Sequence, residues 1–164
     1  MKVVEASIDE IFIIQSLSDR IWPPTFADIL SEEQIGYMMD MMYSTTSLEQ
    51  QIQELGHRYL LAKDGDEYLG YVSYELNYKE SEITKIHKIY VLPSIQGKGI
   101  GRLFLDTVGD IAKANHNRKL SLNVNRFNKA VDFYKHIGFE IIGKEDIDIG
   151  NGFLMEDYIL NKKL

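Results

Sequence analysis

The stretch Ile89-Tyr90-Val91-Leu92-Pro93-Ser94-Ile95 runs into Gln96-Gly97-Lys98-Gly99-Ile100-Gly101-Arg102, after which the spacing of apolar residues turns helical. A strand, a glycine-rich turn and a helix N-terminus together make a cradle for an anion. The first-turn N–H groups have no partner inside the helix, and the helix dipole favours negative charge there. Glycines let a phosphate approach the backbone with no Cβ in the way. Two familiar phosphate loops do not fit. A P-loop counted from Gly97 requires its second glycine five residues on, where Arg102 stands. A dinucleotide fingerprint using Gly97 and Gly99 requires glycine at that same position. The spacing that fits is Gln-x-x-Gly-x-Gly, carried by Gln96, Gly99 and Gly101. The plainer reading is a glycine turn between a strand and a helix.

About 27 residues past Gly101 stands Asn128-Lys129-Ala130-Val131-Asp132-Phe133-Tyr134-Lys135-His136-Ile137-Gly138-Phe139. The first spacing is the pyrophosphate signature of the GNAT superfamily of acetyl-CoA-dependent N-acetyltransferases. The second segment resembles that family's Asn-x-x-Ala-x-x-Phe-Tyr-x-x-x-Gly-Phe, with one residue fewer between Asn128 and Ala130. The resemblance is strongest over residues 84–139. The tail Asp148–Tyr158, with Thr25-Phe26 and Met42-Tyr43, is similar to a bacterial branch that contains polyamine acetyltransferases.

The resemblance implies an α/β fold with a mixed, mostly antiparallel central sheet, helices on both faces, and a parallel pair of strands that splay apart. Here these would be the 83–92 and 120–124 strands. It implies acetyl-CoA as co-substrate, with its pantetheine arm pairing to the backbone at Ile89, Tyr90 and Val91, a ligand acting as an added strand. An N–H near Ile89 or Tyr90 would polarise the thioester carbonyl. The pyrophosphate would sit on Gln96, Gly97, Lys98, Gly99, Ile100, Gly101 and Arg102. Tyr134 falls where the family's tyrosine stands and would donate to the CoA sulfur. Asn128 would cap its helix, touch the cofactor, or both.

Acyl transfer to an amine needs a neutral nucleophile. An alkyl amine with a pKa near 10.4 is neutral about once in two thousand molecules at pH 7, so a proton acceptor must act on it. His87 is the candidate, because an imidazole titrates near neutrality and relatives carry Glu or His at this position. A one-residue register error would turn it to the other face of the strand, leaving it a packing residue. Tyr134 is better placed to hydrogen-bond sulfur than to give up its proton fully, since a phenol is a weaker acid than a thiol. Its alternative is packing with Val131 and Ile137. Lys98, Arg102 and Lys129 are candidate phosphate contacts or simply solvated. Met38, Met39, Met41 and Met42 would be either helix core or an adaptable acceptor wall.

The composition narrows the remaining choices. The 164 residues suit one N-acetyltransferase domain over 1–164, and 45% hydrophobic with 26% charged residues is ordinary for a globular protein. No cysteine is present, so any thioester sulfur must arrive on a cofactor. The four histidines show no metal-ligand spacing, and no metal is expected. A net charge of −7 argues against a nucleic-acid partner and suits either plain solubility or attraction of a cationic substrate. No apolar run is long enough to span a membrane, and the chain is expected in the cytoplasm.

The elements follow. Lys2–Ala6 reads as a strand. Ser7-x-x-Glu10 opens a helix that Pro23-Pro24 should end near Ile21. Ser31-x-x-Gln34 and Ser47-x-x-Gln50 start helices near 32–42 and 47–55. Strands are expected at 58–63, 67–76, 83–92 and 120–124. Helices are expected at 99–115, with Leu103, Phe104, Val108 and Ile111 on one side, and at 128–136. A strand pair folds about Gly150-Asn151-Gly152. The expected reaction is acetyl transfer to a small, cationic primary amine, with a polyamine favoured. A protein N-terminal or lysine acetyltransferase and a catalytically idle CoA-binding regulator are the alternatives. Dimers are common in the superfamily, and a homodimer stays open.

Overall fold

Serines set the starts of the early helices in a computed structural model that describes residues 1–164. After β1 (Lys2–Glu5), a single 3-10 turn leads into α1 (Ile11–Phe26), and the Glu10 carboxylate accepts the Ser7 N–H at 2.9 Å. This is the return half of a capping box. Ser31 caps α2 (Glu32–Tyr43), its Oγ accepting the Gln34 N–H at 3.1 Å. The third helix, α3 (Thr45–Gln53), is capped three residues before the expected Ser47. Ser44 Oγ accepts the Ser47 N–H at 3.2 Å, while Ser47 Oγ is inside the helix and accepts from Gln51 Nε2 at 3.0 Å.

Pro23 and Pro24 do not end α1. A helical proline withholds an N–H from the carbonyl four residues back, here those of Asp19 and Arg20, which are both exposed and open to water. Trp22 and Phe26, on either side of the prolines, are buried to 1% and 5% exposure. Burying two large aromatic side chains outweighs the lost hydrogen bonds.

The strand order is β1-β2-β3-β4-β5-β7-β6, with β2 (Arg58–Asp64), β3 (Glu67–Glu75), β4 (Ile83–Val91), β5 (Lys119–Asn125), β6 (Glu140–Gly150) and β7 (Phe153–Lys163). Pairs β1–β2, β2–β3, β5–β7 and β6–β7 are antiparallel. The β4–β5 pair is parallel, running from Ile83 opposite Lys119 to Ile86 opposite Leu122. Helix α4 (Ile100–Ala114) follows β4, and α5 (Ala130–His136) follows β5. This is the expected mixed α/β fold with a mostly antiparallel sheet. Gly150, Asn151 and Gly152 all have positive φ at the tight β6–β7 turn, a conformation in which glycine and asparagine are the least strained. The chain forms two compact units, residues 1–75 with 88–108 and residues 76–87 with 109–164.

Along α4 the buried stripe is Ile100, Phe104, Leu105, Val108 and Ala112, while Leu103 and Ile111 are half-buried. The methionines of α2 divide in the same way, Met38 entering the core and Met41 facing solvent. In the first unit, Trp22 Nε1 and Tyr71 OH both donate to Tyr43 OH, at 2.9 and 2.7 Å. Beside them Lys88 on β4 is buried at 7% exposure, and its Nζ donates to Tyr59 OH at 2.6 Å and Gln51 Oε1 at 2.7 Å. The Tyr43 ring lies 4.7 Å from the same nitrogen. No carboxylate bonds it, and burial pulls its pKa down to about 7.

That shift has a sign. Between about pH 7 and 10.5 the unfolded chain keeps this lysine protonated while the folded chain favours the neutral amine. The unfolded state then binds more protons, so the contribution to stability rises with pH through this window and is flat below it. Thermal unfolding of wild type and Lys88→Met at pH 7 and pH 10 should show wild type gaining on the variant at the higher pH. A constant Tm difference would mean that Lys88 does not titrate there.

Candidate functional site

The glycine turn lies between β4 and α4 in the first unit. Gly97 and Gly99 have φ of +84° and +82°, and a Cβ built on either would meet nothing within 4 Å. Only glycine takes this backbone without strain, and the space in front of it is open. The first helical hydrogen bond of α4 is Leu103 N–H to Gly99 O at 3.0 Å. The N–H groups of Ile100, Gly101 and Arg102 therefore precede the intrahelical ladder, as an anion cradle requires. Gln96, the side chain of the signature, donates from Nε2 to Val91 O at 3.3 Å and ties the turn back to β4. Ile100 sends its side chain into the core, leaving its N–H as its polar contribution. Lys98 and Arg102 are exposed, as is Lys129. Ile89 and Tyr90 are half-buried and Val91 is buried at the end of β4.

In the second unit, His87 is the first residue of β4 beyond the parallel pairing with β5. It is half-buried, with its ring edge-on to Tyr78 at 5.9 Å. Lys85 shares its side of the strand, because strand side chains alternate. Lys85 Nζ donates to Asn123 Oδ1 at 2.5 Å and sits 5.6 Å from the Tyr78 ring. Asn123 Nδ2 in turn lies 3.3 Å from both Asp157 Oδ2 and Glu145 Oε2. Burial raises the Asp157 carboxyl above its usual range, with Glu145 adding to the effect, while Asn123, Lys85 and Arg126 oppose it. Burial also lowers the Lys85 pKa.

Sequence reasoning missed this polar row. The signal was there in period two, as Lys85-x-His87 on β4 and Asn123 on β5. Linking those to Asp157 needs the cross-strand register, which pairs Asn125 with Asp157 and Asp157 with Glu145. Spacing along the chain was equally blind to His57, whose Nε2 lies 3.6 Å from Glu75 Oε1.

Tyr134 is on α5, with 6% of its surface exposed. Its ring packs against Phe133 at 5.4 Å and Phe139 at 5.8 Å. Its hydroxyl makes no hydrogen bond to protein, and burial alone pushes the phenol pKa well up. The oxygen is not among the fully buried polar atoms left without a partner, so solvent or a ligand can reach it. Asn128 Oδ1 accepts the Ala130 N–H at 2.9 Å across a two-residue turn, while the N-cap position of α5 itself is Lys129. Gly138, at φ +105°, closes the helix.

A strand-turn-helix anion cradle and a parallel strand pair that closes after four residues describe an acyltransferase fold. The chain belongs to the acetyltransferase (GNAT) domain family, which it matches over residues 26–159. It is 35% identical over 77 residues to an uncharacterised N-acetyltransferase of Methanocaldococcus jannaschii, covering 44% of this chain and 34% of that protein. It is 33% identical over 61 residues to the peptidyl-lysine N-acetyltransferase YjaB of Salmonella typhimurium, covering 37% of this chain and 39% of the relative. The chain thus spans well under half the length of these relatives. Among solved structures it is similar to the PaiA N-acetyltransferase of Thermoplasma acidophilum in complex with coenzyme A. That likeness has a TM-score of 0.82 at 24% identity, over 99% of this chain and 98% of the other. A GCN5-related N-acetyltransferase of Rhodopseudomonas palustris superposes with a TM-score of 0.84 at 18% identity, over 99% and 95% of the two chains. At these identities the likeness speaks for the fold. No helix is long and apolar enough to cross a membrane.

Because the Tyr134 hydroxyl has no protein partner, Tyr134→Phe should lose no stability. Its Tm should stay close to that of wild type, because no hydrogen bond to protein is lost and the ring keeps its packing on Phe133 and Phe139. A clear drop in Tm by calorimetry would show that the hydroxyl is bonded in the folded protein.

Proposed function

We propose that the chain acts as one N-acetyltransferase domain that moves an acetyl group from acetyl-CoA to a primary amine of a small cationic acceptor. The observation that carries the reading is Tyr134, a largely buried side chain whose hydroxyl has no protein partner and stays reachable, at the tyrosine position of the family's second signature. The glycine turn fits the co-substrate as well, with open space before Gly97 and Gly99 and the unladdered N–H groups of Ile100, Gly101 and Arg102.

Acetyl-CoA, when bound, supplies a thioester carbonyl open to attack and a thiol leaving group. The turn from Gln96 to Arg102 holds its phosphates through backbone N–H groups, with Lys98 and Arg102 adding charge. The backbone of Ile89, Tyr90 and Val91 binds its amide-bearing arm, and an N–H there steadies charge developing on the carbonyl oxygen. His87 takes the proton of the incoming amine. Tyr134 hydrogen-bonds the sulfur as charge develops. The raised phenol pKa makes full proton transfer less favourable still, so donation without transfer is its role. Asp157, Glu145 and the net charge of −7 favour a cationic acceptor such as a polyamine. A lysine side chain is also a cationic amine, and the name of the Salmonella relative favours a protein acceptor as the second reading.

Thiol release from acetyl-CoA, screened over polyamines, aminoglycosides, amino acids and peptides, tests both. Release with polyamines and not with lysine peptides is the expected result. Release with peptides alone would select the second reading, and CoA binding without release from any amine would make the chain an idle binder. In Tyr134→Phe, kcat should fall about 10²–10³-fold with little change in CoA affinity. An acyl donor with a more acidic thiol should lose less, and equal losses would reduce Tyr134 to packing. His87→Ala should depress kcat/KM most below about pH 8 and recover as the free-amine fraction rises. A loss flat with pH would give His87 a positioning role instead.

A further inference from the structure

We propose that Gly70, on β3, is a positioning residue for acyl transfer. Its missing side chain lets the end of β4 press against β3, and this sets where the backbone of Tyr90 and Val91 lies. The inference rests on the acetyl-CoA reading above, which places the acyl-bearing arm on that backbone.

A Cβ built on Gly70 would lie 2.5 Å from the Tyr90 carbonyl oxygen, 3.0 Å from Val91 Cα and 3.4 Å from the Tyr90 carbonyl carbon. All three are backbone atoms. The tip of a long side chain could swing aside, but here the strand itself would have to move. The neighbouring register shows how the close approach is built. Ala62 on β2 faces Gly70, yet the next residue, Lys63, faces Tyr68, so Leu69 is an extra residue in β3. Such a bulge bends its strand and re-aims the backbone groups beside it. The Leu69 carbonyl accepts the Leu92 N–H at 2.9 Å, one residue past the contact with Gly70.

Other contacts leave that end of β4 little room to yield. The Tyr90 ring is 5.6 Å from Trp22, 6.2 Å from Phe26 and 5.8 Å from Tyr71. Trp22 and Phe26 flank the two prolines of α1, and both are buried. The Val91 carbonyl is tied to Gln96 of the glycine turn. Tyr90 and Val91 are thus held by α1 on the ring, by the turn at the carbonyl, and by Gly70 on the backbone. A methyl group at position 70 would displace the strand against all of these. Productive geometry in acyl transfer tolerates little displacement, because near-attack alignment accounts for a large part of the rate.

The test compares wild type, Gly70→Ala and a control, Leu61→Val, which trims a fully buried side chain of β2. Each is assayed well below its Tm, for CoA affinity by titration and for steady-state constants with acetyl-CoA and with an amine that wild type turns over. Gly70→Ala is expected to weaken CoA binding or lower kcat at least tenfold, with the amine KM changed less than twofold. Leu61→Val should match wild type in every constant. Wild-type constants in Gly70→Ala, or a loss shared with Leu61→Val, would overturn the proposal. Should Gly70→Ala not fold, Phe26→Leu carries the test by loosening Tyr90 from α1. At least threefold weaker CoA binding is then expected, and unchanged binding overturns the proposal. A wild type that binds no CoA sinks the acetyl-CoA reading together with this one, whereas normal turnover with an unaffected Gly70→Ala sinks this one alone.

Discussion

The parallel pairing of β4 with β5 covers four residue pairs and stops at Ile86 and Leu122, so the backbone of β4 beyond Ile86 must find its partners elsewhere. Buried backbone N–H and C=O groups must be paired, so a strand that leaves its neighbour needs another source of partners. His87 is the first residue past the stop, and the last residues of β4 run into the glycine turn. In the second unit β5 goes on to Asn125, paired with β7. In the first unit the end of β4 is held by a carbonyl of β3, by the rings around Tyr90 and by Gln96.

Two deeply buried polar side chains show how stability and function divide. Lys88 is held by Tyr59, Gln51 and the Tyr43 ring, and Gln51 is itself held by the Met42 carbonyl at 2.9 Å. Each donor finds an acceptor, and the cost of burying the amine appears as a lowered pKa. Tyr134 is buried as deeply, yet its hydroxyl has no protein acceptor. That oxygen is not among the fully buried polar atoms without a partner, so it stays open to solvent or to the proposed co-substrate.

Local rules succeeded where the interaction was local. The cap at Ser31 and the turn at Gly150-Asn151-Gly152 involve groups within a few residues, and their chemistry can be read from the order of side chains. The rules failed where a distant partner outvoted them. Pro23-Pro24 is a helix stop in isolation, but burial of Trp22 and Phe26 carries α1 through it. Ser47 has the spacing of a cap, but Ser44 starts the helix one turn earlier and Gln51 takes the Ser47 hydroxyl. In α4 the apolar positions were legible, whereas the direction of the buried stripe depends on what the helix lies against.

By itself the sequence determined the family and the glycine turn before α4, because those depend on residues close together in the chain whose spacing dictates backbone shape. It also ruled out a protein thiol as nucleophile, since no cysteine exists. The tertiary structure decided the partners. That Asn123 joins Lys85 to Asp157 and Glu145, that Lys88 is buried among tyrosines, and that Gly70 touches the backbone of Tyr90 are facts of strand register and packing. The contacts join residues from 20 positions apart, Gly70 and Tyr90, to 45, Tyr43 and Lys88. A one-residue slip in any pairing would turn each of these side chains to the opposite face, so no pattern along the chain could have specified them.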